Sequence, residues 1–372
     1  MKKIAAYFSQ VGGANALMPL IGKLTDRYEV SVFGRQAVMD KLKNGYSLIR
    51  EAHADSSSRA ALEWLDAVRP DVLVTDTINL RRVEDGGMCI ELWGRARKYG
   101  IPSIAYVDSW WAYDERFRLP GESGFENVPY RIATVDTHAQ DALIDLGYPR
   151  ERLIVTGSPR FQMLTERSCA FDADMRRRFC ASKRVAKDDR LIIFVSQPIE
   201  QVLGSQEEWG FSEKSILEAV LATIQRLPET ERRHIVLAVL SHPEEDERQL
   251  AAHLDRFAGG VRTFMIDGND AISCIEASDM VVGMFSILLV EALIMGRIAI
   301  SIQLGLKRED MLITNKLGAT VAARSEEALA ATFGRALVDS GYRSHLASLA
   351  KRYVYIADSM ERWTRCLEGL CQ

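Results

Sequence analysis

Short apolar runs alternate with helix-periodic stretches along nearly the whole chain, and this rhythm constrains the fold more than any other feature. It is the signature of βαβ units and parallel sheets. Lys3–Phe8 reads as a first strand, followed by a loop over 9–15, a helix over 16–27 and a strand over 29–33. Runs 71–75, Ser103–Val107 and 132–135 continue the strands, with helices between them at Ser58–Val68 and ending at Lys98. In YGIPSIAYVD the Gly-Ile-Pro punctuation closes a helix and feeds a strand.

Near Gly157-Ser158-Pro159 the rhythm breaks. A basic helical stretch follows, carrying Arg176, Arg177, Arg178, Lys183, Arg184 and Lys187. The pattern then restarts, with strands at 191–195, 234–240, 264–266, 280–282 and Ile298–Ile302 and helices at Glu213–Gln225, 246–257 and 288–295. From about Arg343 the chain reads as one amphipathic helix carrying Trp363. At roughly 100–200 residues per domain, 372 residues suggest two domains. The expected fold class is α/β: two doubly wound, Rossmann-like domains facing across a cleft, with ligands beyond the carboxyl ends of the strands.

Composition narrows the function classes. Lys and Arg total 47 against 51 Asp and Glu, and a net charge of −4 gives no footprint for nucleic acid. No apolar run approaches the roughly 18 residues that span a bilayer. The N-terminal residues enter a β-like run without a signal-peptide cleavage pattern. The six cysteines form no CxxC and no metal-ligand cluster, so they read as thiols of a reduced cytoplasm.

The loops at strand ends carry the candidate chemistry. In loop 9–15, Gly12, Gly13 and Asn15 stand where backbone can approach a ligand ahead of a helix N-terminus; GxGxxG is absent, and turn chemistry alone would also explain the glycines. Asp76 and Asp108 each follow a strand, where a carboxylate can take a proton from an attacking hydroxyl or simply cap the next helix. Residues 108–117 crowd Trp110, Tyr113 and Arg116 with acids into one loop, suited to a sugar-binding wall or to domain packing. In the second half, Ser196-Gln197 and His242-Pro243 end strands, and His242 could donate to a phosphate. At 278–293 a strand ends at Gly283 and a helix opens near Ser286. That N-terminus could cradle phosphate, with Glu291 reaching ribose hydroxyls; the alternative is a plain N-cap and a solvated glutamate.

These segments resemble the GT-B superfamily of nucleotide-sugar glycosyltransferases and the related non-hydrolysing UDP-N-acetylglucosamine 2-epimerase. RPDVLVTDT is similar to a central strand of that superfamily's first domain, and DALIDLGYPRERLIVTGSPRF to its exit from that domain. ASDMVVGMFSILLVEALIMGRIAIS resembles the donor-binding helix with its Ser and ribose-binding Glu, and the terminal helix the one that crosses back. The resemblance implies an N-terminal acceptor domain over 1–160, a C-terminal donor domain over 161–342 and a helix over 343–372 packing back on the first domain. Where the epimerases carry HVEAGLRT, this chain has Ala105-Tyr106-Val107-Asp108-Ser109-Trp110-Trp111; THRREN and Ser-Gly-Gly-x-x-Glu-Glu also lack counterparts. Glu84-Asp85-Gly86 and His242-Pro243 resemble motifs of bacterial sialyltransferases and related CMP-sugar enzymes.

The resemblance therefore implies a glycosyltransferase of bacterial surface polysaccharide or glycoconjugate synthesis, using UDP- or CMP-sugars, without cofactor and without metal. Ser196, Gln197, His242, Pro243, Gly283, Ser286 and Glu291 would bind the donor. Gly12, Gly13, Asn15, Trp110, Tyr113 and Arg116 would bind a glycan or lipid-linked acceptor, and Asp108, Asp76 or Asp85 would be the base. The competing expectations are a 2-epimerase and a non-catalytic nucleotide-sugar-binding protein. A cytoplasmic place is implied, with peripheral membrane contact open because the basic stretch could meet anionic lipid.

Overall fold

The computed structural model describes residues 1–36, 38–40, 52–54, 58–80, 87–118, 124–125 and 127–371. The chain forms two compact units, unit 1 from Met1–Met163 with Tyr355–Gln372 and unit 2 from Leu164–Val354.

Unit 1 holds β1 (Lys3–Phe8), β2 (Glu29–Gly34), β3 (Ala52–Ala54), β4 (Val72–Thr75), β5 (Ser103–Val107), β6 (Arg131–Thr134) and β7 (Leu153–Val155). They form one sheet in the order β3-β2-β1-β4-β5-β6-β7, parallel at every pairing. Ile4 of β1 lies opposite both Val30 and Val72, and β1 is buried from Ile4 to Phe8. A central parallel strand covered on both faces requires such a continuous apolar run. Cover comes from α1 (Val11–Leu24), α2 (Ser58–Val68), α3 (Met88–Lys98) and α4 (Thr137–Asp145). The two large indoles under the helices each satisfy their N–H, Trp64 on Ser31 Oγ at 2.9 Å and Trp93 on Thr75 Oγ1 at 3.0 Å.

Unit 2 repeats the plan with β8 (Arg190–Val195), β9 (Ile235–Leu240), β10 (Arg262–Met265), β11 (Met280–Gly283), β12 (Ile298–Ile302) and β13 (Val321–Ala323), in the all-parallel order β10-β9-β8-β11-β12-β13. Its principal helices include α5 (Pro159–Ala170), which starts in unit 1, then α6 (Ala173–Ser182), α7 (Glu213–Gln225), α8 (Glu247–Phe257), α9 (Ala271–Ala277), α10 (Ile287–Ile294) and α11 (Ser340–Leu349). Among the described residues no helix is long and apolar enough to cross a membrane.

Three expectations change. Helix α1 begins at Val11, so Gly12 and Gly13 lie in its first turn and not in a loop. The stretch from Arg343 is two helices: α11 ends at Leu349, and a separate α12 (Ser359–Leu370) belongs to unit 1. There Trp363 is fully buried, edge-on to Tyr106 at 5.6 Å, with its N–H on the Gly157 carbonyl. The basic stretch is helical only as far as Ser182, and two of its cations pair with unit 2's own acids, Arg176 with Asp279 at 2.9 Å and Lys183 with Asp270 at 2.5 Å.

Candidate functional site

In a doubly wound sheet the crevice opens where the strand order reverses, outside the carboxyl ends of the two central strands. Those ends are β1 and β4 in unit 1, and β8 and β11 in unit 2. The candidate residues gather at both places.

In unit 1, Asp76 directly follows β4 and is buried. Both of its oxygens accept the Ser9 N–H at 2.9 Å; Ser9 Oγ donates at 2.8 Å and the Gln10 N–H at 2.9 Å. Helix α1 has no acid in its first turn and no side-chain cap, so Asp76 supplies its negative partner from the neighbouring strand. Gly13 makes this approach possible, because a Cβ there would stand 2.4 Å from the Asp76 Cβ. Burial pushes the Asp76 carboxyl up to about 7 against the pull of the Ser9 and Gln10 donors, and the nearby Asp108 charge adds to the rise.

Asp108 follows β5 and faces the same turn of α1. A Cβ on Gly12 would lie 3.6 Å from its Oδ2. A quarter of the Asp108 side chain is open, yet its carboxyl is also raised, by burial, with Arg116 opposing the shift. Arg116 comes from a 3₁₀ turn at Asp114–Arg116 and is 5% exposed. Its guanidinium donates to Thr77 Oγ1 at 2.8 Å, to the Thr77 carbonyl at 3.3 Å, to Asp108 Oδ1 at 3.4 Å and to Ser109 Oγ. It thus fixes the loop that carries Asp108. Trp110 is likewise buried and donates to Asp136 Oδ2 at 2.7 Å, while Asp136 caps α4. Between them Ala112 is held at φ 52°, a left-handed conformation a non-glycine residue adopts only where its surroundings impose it. Tyr113 is half-buried, its phenol raised by burial. Trp110 and Arg116 therefore lock the loop from inside, and Asp108, Ser109 and Trp111 form its more open part. Asn15 is half-buried one turn into α1. Asp85, with Glu84 and Gly86, lies outside the described residues.

In unit 2, Gln197 Oε1 accepts the Phe285 N–H at 2.8 Å and so ties the end of β8 to the end of β11. Gly283 lets these strands close up, since a Cβ would meet the Val195 carbonyl at 2.8 Å. Ser286 is the N-cap of α10, accepting the Leu288 N–H at 3.3 Å. Glu291 is buried, which removes its reading as a solvated side chain. Beside them, Ser196 donates to Glu245 Oε1 at 2.6 Å, and the His242 N–H donates to Glu245 Oε2 at 2.5 Å. Pro243 follows in the same turn.

Sequence reasoning missed Ser9, Glu245 and Glu213, whereas Gln303 stands in the rim loop expected after the strand Ile298–Ile302. Glu213 opens α7 and takes the Ile199 and Glu200 N–H groups at 3.1 and 3.3 Å. Gln303 follows β12 and donates to the Met284 carbonyl at 3.2 Å and Asp310 Oδ1 at 3.1 Å. Only Glu245 left a usable signal, a carboxylate three residues after a strand-end His-Pro. No group of three or more His, Cys, Asp or Glu side chains that could hold a metal ion occurs among the described residues.

No protein-family model matches the chain, and no curated protein matches it. Solved structures do. S. aureus MnaA, in a co-structure with UDP, shares 13% identity over 99% of this chain and 96% of that one, with TM-score 0.70. UDP-GlcNAc 2-epimerase from Neisseria meningitidis, bound to UDP-GlcNAc, shares 11% over 99% and 100%, with TM-score 0.70. A glycosyltransferase from Rickettsia africae ESF-5 shares 9% over 100% and 99%, with TM-score 0.64. Likeness at such identities speaks for architecture alone. The chain has the GT-B fold of these proteins, two parallel Rossmann-like sheets each with its switch point at the central strands.

Proposed function

We propose that the chain is a nucleotide-sugar enzyme of glycosyltransferase type, with Asp108 as its base and a UDP-sugar as its donor. The observation that carries this is the partly open Asp108 carboxylate, raised in pKa and held by Arg116 beside the first turn of α1. A carboxylate so placed can take the proton of an acceptor hydroxyl as its oxygen attacks the anomeric carbon. The bond from that carbon to the donor phosphate then breaks, and the nucleotide leaves with the electron pair. We assign the leaving phosphate to unit 2, where the α10 N-terminus with Ser286 and the His242 turn would stabilise its charge without a metal. Glu291 is assigned to the ribose. The UDP and UDP-GlcNAc bound by the S. aureus and Neisseria proteins favour UDP over CMP. The acceptor is a glycan or lipid-linked hydroxyl.

A 2-epimerase is the second reading, and one observation favours it. Asp76 and Asp108 flank a single helix terminus, one buried with a pKa near neutrality and one partly open. Such a pair could remove a proton from C2 of the sugar and return one. Incubation with UDP-GlcNAc in D₂O without acceptor separates the two. Deuterium at C2 together with the 2-epimer establishes the epimerase. An unchanged donor, with UDP released only when an acceptor is added, establishes the transferase. Neither result with any nucleotide sugar sinks both.

A further inference from the structure

The turn after β9 is closed by one side chain. Glu245 gives its own N–H to the His242 carbonyl at 3.0 Å, takes the His242 N–H on Oε2 at 2.5 Å and takes the Ser196 hydroxyl on Oε1 at 2.6 Å. It thereby joins the ends of β8 and β9, next to the switch point of unit 2. The Glu244 N–H donates to His242 Nδ1 at 3.2 Å. A ring nitrogen that accepts an N–H carries no proton, so the neutral imidazole has its hydrogen on Nε2. Ser196 owns a single hydrogen, and that hydrogen is committed to Glu245.

We propose that Glu245 is the positioning residue of this rim, holding His242 in its Nε2–H form and setting whether Ser196 accepts or donates a hydrogen bond toward a bound nucleotide sugar. With Glu245 ionised, Ser196 offers only lone pairs, which suit a sugar hydroxyl and repel a phosphate oxygen. With Glu245 protonated, the carboxyl hydrogen goes to Ser196 Oγ and the serine hydrogen is released to a phosphate. Oε2 keeps the His242 N–H in both states. Burial raises the Glu245 carboxyl against the pull of its Ser196 and His242 donors; Glu213 on α7 adds to the rise and Lys214 opposes it, and Glu244 and His242 are the other titratable groups of the turn. The consequence for ligand binding rests on the function proposed above. The geometry of the turn does not.

Two measurements on the full chain test it: ¹⁵N NMR of the histidine side chains without ligand, and calorimetric titration of UDP-GlcNAc over a pH series that starts in the ordinary carboxylate range and extends upward from it, the direction in which burial moves Glu245. The diphosphate of a nucleotide sugar keeps its charge over that series, so any pH dependence belongs to the protein. Wild type should show the Nε2–H tautomer at His242 and bind more tightly as pH falls. Glu245→Gln keeps the tautomer, because its carbonyl takes the His242 N–H while its NH₂ donates to Ser196, and it loses the carboxyl's share of the pH dependence, leaving only that of His242. Glu245→Ala mixes the tautomers and loses the carboxyl's share of the pH dependence. Ser196→Ala likewise loses the carboxyl's share of the pH dependence, with the tautomer intact. A tautomer unchanged in Glu245→Ala overturns the proposal. Failure of the wild type to bind any nucleotide sugar overturns the proposed function, and the tautomer measurement still decides the role of Glu245.

Discussion

Adjacent glycines in the first turn of α1 should respond to the same substitution with opposite signs. In a helix, Gly→Ala alone stabilises by roughly 0.5–1 kcal/mol, because alanine loses less backbone entropy. At Gly12 nothing opposes that gain, since a Cβ would sit in ordinary contact, 3.6 Å from Asp108 Oδ2. At Gly13 a Cβ would lie 2.4 Å from the Asp76 Cβ, 2.7 Å from its Oδ2 and 2.9 Å from its Cγ. Carbon atoms pack at about 3.5–4.0 Å, so the start of α1 must retreat by roughly 1 Å from β4. Overpacking of that kind costs about 1–3 kcal/mol. The retreat also stretches the Ser9 and Gln10 hydrogen bonds to Asp76, now 2.9 Å long, and each bond to a charged group contributes about 1.5–3 kcal/mol. After the helix gain is subtracted, Gly13→Ala should destabilise unit 1 by about 2–4 kcal/mol, and Gly12→Ala should be neutral or slightly stabilising. Hydrogen exchange of the amides in α1 is the suitable assay, because a chain of two units need not unfold in one step. Equal protection in the two variants would refute the assignment of Gly13 to a close approach.

The Asp76 carboxyl lies near 7 in the folded chain and near 3.9 in an unfolded one. Between those values the native state holds a proton that the unfolded state has lost. This contribution to stability is therefore complete below about pH 4 and fades as pH rises through 7, with an upper limit of about 4 kcal/mol. Asp76→Asn should flatten that slope in denaturation series from acid to neutral pH, and a slope unchanged by the substitution rules out Asp76 as its source. Asp108→Asn should lower kcat by roughly 10²–10⁴ while leaving UDP-sugar affinity intact, as expected of a proton-transfer group. The wild-type rate should fall on the acid side above the ordinary carboxylate range, since burial raises this base; full turnover by Asp108→Asn would assign the proton transfer elsewhere.

The central strands were legible because burial on both faces writes a continuous apolar run. β3, β7 and β13 were not, since each has three residues and lies at a sheet edge. The true start of α1 was hidden for a different reason: its capping carboxylate comes from 67 residues away, and local rules find only local caps. The break between α11 and α12 carries neither Gly nor Pro, so the apolar periodicity read straight through it. Asp76 and Asp108 could be found as strand-end carboxylates. Composition could not show that Trp110 and Arg116 face inward, because an aromatic and basic loop reads alike whether it holds a ligand or itself together.

Unit 1 is completed by residues that follow unit 2 in the sequence, Tyr355–Gln372, and that sets an order on its making. The N-terminal sheet leaves the ribosome first, yet the indole of Trp363 that covers Tyr106 follows only after the whole of 164–354 has been synthesised. At translation rates of 5–20 residues per second, that wait is roughly 10–40 s. Over that interval unit 2, which is contiguous in sequence, can finish folding, while the first-made half stays open along the face where α12 will dock. A nascent chain stalled before Ser359 would expose that face to chaperones or to another copy of itself, so the half that is made first is the last to be sealed.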